Sequence, residues 1–398
     1  MLQHTSHHRC HLMWTTLIAM TLVLPSFAMA CLWDYDTLMQ ERSRFPSVLE
    51  LITGKFPRHS KEFYEWRVKD RQKKIAATGA TPELLDDLAV AFDKIGDHDQ
   101  AIATMELAEQ EFPGRYETAA NQGTFYFHAK RLEEGVPHIE RALQINPNAH
   151  FGREKYQLLL VKYVLSKQVD GKTKLPLTEF NSDGDQSIGS RFRDFVRQDL
   201  SDDAERAEIE KAIQGILGMM RFGKHDSPIL LEALGDLLYY GEGDRSNNQQ
   251  LASRAYLQAS YLTKDQPEVS SAYRRRAEVI LSLQMGGSGP NGTLTLAELE
   301  STFQKELSDA NAWTLTVVND EHHWLASSPD PDAAYAAKYA SDPEVPDLNP
   351  LVSPRGRVRG VNLLLTIPVA AGLLLAAFIL LRFWLNRNRR NVSDSPDA

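Results

Sequence analysis

The spacing of two short motifs restricts this chain more than any other feature. Glu111-Phe112-Pro113 and Ile145-Asn146-Pro147 lie 34 residues apart, each closing an amphipathic stretch. A period of that length fits a helical hairpin, and one hairpin cannot bury its apolar face alone, so copies must stack. In the first unit Leu85, Leu88, Ala89 and Phe92 mark one helix and Gly96 the turn. Ala101, Met105 and Ala108 mark the second helix, and Pro113 stops it. The same offsets in the next unit give Ala119, Gln122, Gly123, Tyr126, Lys130, Gly135, Ile139, Ala142 and Pro147. Gly123, Gly135 and Ala142 are small enough to let helix backbones approach, while Phe92, Tyr126 and Ile139 fill the space between them. Thr81-Pro82 supplies an N-cap and a first-turn proline.

At these residues, 81–149, about a sixth of the chain, the sequence resembles the tetratricopeptide repeat (TPR) superfamily. The resemblance implies an all-α fold of helical-hairpin repeats, a TPR-like solenoid with flanking helices. It also implies a concave groove, lined by the first helix of each unit, that takes a peptide or a partner helix. The groove candidates are Asp86, Val90 and Asp93, then Thr124, Phe127 and His128, with Glu83, Glu117 and Ala120 beside them. Chaperone-binding members clamp a C-terminal carboxylate with Lys and Asn on that face, a pattern that Asp86, Val90 and Ala120 do not match. A basic or mixed apolar segment anchored at Phe127 suits the face better. The alternative is a solvated face with no dedicated ligand.

A degenerate third unit lies within the helical region 150–285. Leu234, Gly235 and Leu238 are followed by Ala252, Tyr256 and Ala259, with about five extra residues in the turn. Within the same region, residues 151–165 read as a helix covering the first pair, 200–222 as a further helix, and 171–190 as loop. Upstream, 31–80 is an aromatic-rich cap with Trp33, Tyr35, Phe45, Phe56, Phe63, Tyr64 and Trp66. Downstream, 294–325 forms one long amphipathic helix that opens with a Thr295-x-x-Glu298 capping box. Its Leu296, Leu299, Phe303, Leu307, Ala310, Trp313 and Val317 form a stripe that would pack on the last repeat or, if exposed, dock a partner helix. The proline-punctuated stretch 326–360 reads as a semi-extended stalk.

The two ends set the expected location. Residues 1–30 carry Arg9, an uncharged run over 12–24 and the small-residue site Ala28-Met29-Ala30, the layout of a cleaved signal peptide. Residues 361–381 are free of charge and long enough, at ~1.5 Å rise per residue, to cross a ~30 Å hydrocarbon core as one C-terminal transmembrane helix. Arg382, Arg387, Arg389 and Arg390 in the tail 382–398 face Arg355, Arg357 and Arg359 on the other flank, so orientation rests on the signal peptide. That places the body outside the cytoplasm and the tail inside. Cys31-Leu32-Trp33-Asp34-Tyr35-Asp36-Thr37-Leu38 resembles the mature start of bacterial exported repeat proteins, which implies an envelope setting. Cys31, the single thiol left after cleavage, is either lipidated or an odd structural or partner-linked cysteine. Over 31–360, 39 basic residues stand against 51 acidic ones, a net charge of −12 that excludes nucleic acid as a partner.

No catalytic motif emerges. The loop Asn181-Ser182-Asp183-Gly184-Asp185 lacks the Gly and Glu of a calcium hand, with Gln186 and Phe192 at those positions. His322-His323 beside Glu321 has no ligand spacing, and His59, His128 and His138 stand isolated. Neither metal nor other cofactor is expected, and the chain reads as a non-enzyme. The leading functional reading is an extracytoplasmic, membrane-anchored scaffold for a protein or peptide partner. An accessory or sensor subunit of an envelope complex is the alternative, and an enzyme with a site in 171–325 the third. The topology has a direct test: the mature chain should begin at Cys31, and protease added to intact cells should reach 31–325. Protection of that segment would reverse it.

Overall fold

Fourteen helices account for most of the described residues in the computed structural model, which describes residues 34, 45–147, 149–178, 191–198, 202–239, 245–282 and 294–339. All belong to the first of two units, Met1–Pro346. Among the described residues the protein is all-α, its sole β feature being an isolated bridge between Val169 and Lys172. The expected signal peptide, the expected 361–381 span and the acidic loop 181–185 lie outside the described residues. No described helix is long and apolar enough to cross a membrane.

Helices α1 (Val48–Thr53) and α2 (Lys61–Thr78) precede two hairpins, α3 (Pro82–Ile95) with α4 (His98–Glu111) and α5 (Tyr116–His128) with α6 (Leu132–Ile145). Corresponding helices begin 34 residues apart, as the spacing predicts. Thr81 caps α3, its Oγ1 accepting from the Leu84 amide at 3.3 Å, and Gly96 ends the helix in the left-handed conformation with φ 92°. The small residues act as expected. A Cβ on Gly135 would stand 2.5 Å from the Phe127 ring and 2.7 Å from the Gly123 carbonyl oxygen, so α5 and α6 cross with their backbones nearly touching.

Next come α7 (Arg153–Ser166), the short α8 (Phe192–Arg197), α9 (Asp202–Met219) with a π turn at Met220–Lys224, α10 (Pro228–Tyr239), α11 (Arg245–Leu262) and α12 (Pro267–Ser282). The pair α10 and α11 reproduces the hairpin contact. Gly235 lies against the Tyr256 ring as Gly123 lies against Ile139, but 21 residues apart instead of 16, which is the insertion read from the sequence. Helix α13 (Leu296–Ser327) buries Leu299, Phe303, Ala310 and Val317, and it touches α11 and α12 before reaching α1 and α2.

The expected semi-extended stalk is corrected over 331–339 alone. Residues 331–339 form α14 (Pro331–Tyr339), started by Asp330, whose Oδ1 accepts from the Ala333 amide at 3.0 Å. A proline in the first turn of a helix is tolerated because its missing N–H would have no partner there. The alanine-rich stretch behind it then propagates the turn.

Helix α14 docks on the N-terminal cap, and α2 is consequently apolar on two sides. Tyr64 and Val68 join the core of the first repeat with Leu85, Leu88 and Phe92. Phe63 and Trp66 pack instead with Val317, Trp324, Tyr335 and Tyr339 from the last two helices. Ion pairs lock this closure. Asp332 receives Arg67 Nη2 at 2.7 Å and Arg71 Nη2 at 2.6 Å, and Arg71 Nε also reaches Asp87 in α3 at 2.9 Å. Behind them, Glu321 accepts the Ser60 amide at 2.9 Å and lies 2.6 Å from His59 Nδ1.

Burial would raise the Asp332 carboxyl, but Arg67 and Arg71 outweigh it and hold the group below its ordinary value. A carboxylate whose folded-state pKa is depressed stabilises the fold fully above its unfolded value, ~3.9, and loses that contribution as pH falls through the folded value. Asp332→Asn should therefore cost about 3 kcal/mol near neutrality, because it takes the shared carboxylate from two buried guanidinium groups. In urea unfolding, the gap between wild type and variant should narrow below pH ~4.

Candidate functional site

The six groove candidates occupy an interior face. Val90 and Phe127 are fully buried. Thr124, also buried, accepts from Gln157 Nε2 of α7 at 3.0 Å. Asp86 binds the Arg115 guanidinium at 2.8 and 3.3 Å. Burial pushes its carboxyl up to about 7, against the bonds and charge of Arg115. Ala120, beside them, is buried too, whereas Glu83 is exposed. Later parts of the chain supply part of the cover: Lys94 of α3 donates from Nζ to the carbonyls of Phe222 and Gly223 in the π turn, both at 2.8 Å.

Asp93 and His128 meet a third residue that sequence reasoning left aside. Asp93 sits in the last turn of α3, His98 is the first residue of α4 and His128 the last of α5. His128 Nδ1 lies 2.8 Å from both Asp93 oxygens, and His98 Nδ1 lies 2.9 Å from Oδ1. One donor atom from each of the three falls within 4.8 Å of the other two. Asp93 and His128 are buried, while the His98 side chain is 31% exposed and opens the cluster to solvent. Burial alone would raise the Asp93 carboxyl, but the charges and hydrogen bonds of the two imidazoles hold it far below the carboxylate range. The bond to Asp93 in turn raises His98 against its own desolvation.

Two other polar concentrations stand apart. In the C-terminal half, Glu232 accepts from the Leu177 amide at 3.0 Å, Tyr273 Oη at 2.7 Å and Arg276 Nη1 at 3.0 Å. Asp236, one helical turn away, accepts from Tyr256 Oη at 2.5 Å. Both carboxylates are fully buried. Near the start of the chain, a cavity of about 130 Å³ is lined by Arg58, His59, Lys94, Arg221 and His225, with Asp34 among them. Burial lowers Arg58, and burial together with the Arg58 charge drives His225 down to about 3. That volume holds a few water molecules, not a peptide.

The His59, His322 and His323 readings stand differently. His59 is engaged with Glu321 and stacks on Phe63 at 4.0 Å, and the other two are exposed on α13. The signal for the Asp93 cluster was present in the sequence, in the Asp93-x4-His98 pair straddling Gly96 and in His128 one residue beyond a repeat length from Asp93. No family model, curated protein or solved structure matches the chain.

Because Phe127 is interior, Phe127→Ala should act on stability, by roughly 3–5 kcal/mol. Gly135→Ala should cost about 1–3 kcal/mol, since its Cβ would press on the same ring. Removing the ring frees part of that space, so in denaturant unfolding the double variant should lose less than the two single losses combined.

Proposed function

We propose that the protein is a membrane-anchored, extracytoplasmic scaffold of tetratricopeptide-repeat type that assembles with a protein partner. The observation that carries this reading is the character of the second-helix faces. On α4, Asp99, Glu106 and Glu111 are exposed together with Leu107, which is 41% accessible. On α6, Glu133 and Glu134 are exposed together with Ile145 at 43%. With the first helices buried, the partner's place moves from the inner groove to this acidic and apolar outer face. A basic or mixed apolar segment complements such a surface, with charge setting orientation and the apolar residues the contact area.

The self-closed body supports the same reading. A solenoid whose ends are covered by its own helices presents a fixed surface. A catalytic reading of 171–325 draws less support, because its converging carboxylates, Glu232 and Asp236, are fully buried and engaged in internal bonds.

The test is crosslinking in membranes followed by identification of the captured protein. Glu106→Lys, Glu111→Lys and Leu107→Lys change exposed positions and should leave the melting temperature within a few degrees of wild type. Each should nevertheless deplete the captured partner several-fold. A captured set that stays the same in all three would remove the outer face from consideration.

A further inference from the structure

We infer that Asp93, His98 and His128 form a binding site for a divalent cation of the zinc class, with a fourth position left to water or to a partner's side chain. The donor set is two imidazoles and one carboxylate, which suits borderline ions such as zinc, and three protein ligands with an open position is the pattern of an accessible rather than a purely structural centre.

The arrangement converges on one point. Both imidazoles place Nδ1 within 2.9 Å of the same oxygen, Asp93 Oδ1. These are hydrogen-bond distances, each occupied by one proton. A zinc ion with ligand bonds of ~2.0–2.2 Å enters by displacing those protons and spreading the donors by a few tenths of an ångström. The exposed edge of His98 gives the ion its path and the displaced protons their exit to water. His128 Nε2 is buried and has no hydrogen-bond partner, so the cluster is not a saturated internal network.

The helix ends add a field of the right sign. α3 and α5 end at the cluster and only α4 begins there. Each C-terminal end carries about half a negative charge and each N-terminal end about half a positive one, so the sum favours a cation. The cluster is also not a by-product of the repeat. The positions one repeat after Asp93 and His98 are Phe127 and Leu132, and the position one repeat before His128 is Lys94, none of them a zinc ligand in this setting. The three ligands come together once, at the junction of the hairpins.

The experiment uses the full-length chain in detergent, stripped with chelator and titrated with zinc alone, and with cobalt as a spectroscopic stand-in. One equivalent should bind, raising the melting temperature, and cobalt should give the visible bands of a four-coordinate site. His98→Gln, at a half-exposed helix start, should keep the fold while weakening zinc at least 10-fold and abolishing the bands. The double change His322→Gln and His323→Gln should leave both intact. The inference is overturned if the wild type binds no zinc stoichiometrically, or if binding and bands survive His98→Gln.

Discussion

A stack of helical hairpins has two apolar ends that water must not reach, and the way they are covered governs everything else in this protein. Here the ends cover one another. Asp332, from the last described helix, sits between Arg67 and Arg71 of α2, and Arg71 reaches on to Asp87 in the first repeat. One carboxylate thus ties together three parts of the chain that lie up to 265 residues apart. Charges this deeply placed are tolerable only in company, because a buried ion left alone loses several kcal/mol of hydration. The aromatic residues of the cap follow from the same requirement. Phe63 faces the C-terminal helices and Tyr64 the first repeat, so one helix serves as a wedge between the beginning and the end of the array.

The C-terminal half is stitched by polar bonds as well as by close helix packing. Arg276 donates to Glu232 and to the Thr178 carbonyl, the latter at 2.6 Å, while Arg254 grips Glu306 of α13 through Nε and Nη2 at 2.8 and 3.0 Å. These bonds pin the irregular segment before residue 179 and the long capping helix to α11 and α12. Burial pushes the Asp236 carboxyl up to about 6, against the charge of nearby Arg276. Residues that would draw attention as a reactive cluster in an open cleft serve here as internal fastening.

Much of the architecture was legible because it is written in local chemistry. Thr81 and Pro82 start a helix, Gly96 ends it, and Gly123 and Gly135 mark a backbone crossing whether or not the partner helix is known. The five-residue insertion between Gly235 and Tyr256 could be counted for the same reason. What remained hidden depends on distant parts of the chain. Periodicity identifies which face of α3 and α5 is apolar, but not that the chain itself covers it, since Phe222, Gly223 and Gln157 arrive from far along the sequence. Helix α14 was hidden by its own proline, whose meaning changes from breaker to initiator once Asp330 caps the turn. His98 passed unnoticed because the first residue of a helix looks like a solvated position until a neighbouring repeat brings His128 beside it.

That placement also connects the two halves of the body. The last turn of α3 holds Asp93 on one side and Lys94 on the other, the first facing the second hairpin and the other fixed to the π turn after α9. Asp93 and Lys94 are adjacent in that turn, so a change of donor spacing at Asp93 bears on the Lys94 contact with the C-terminal half. Close-packed interiors do not absorb such shifts gradually, because side chains occupy discrete rotamers and voids are few. A few tenths of an ångström at the Asp93 cluster must therefore be taken up either by the exposed His98 ring, which has room to move, or by α5, which does not, since its Gly123 is already pressed against Gly135 and Ile139. The half-exposed histidine is thus the compliant member of the three, and its position at the start of α4 directs that compliance toward the acidic outer face rather than into the core.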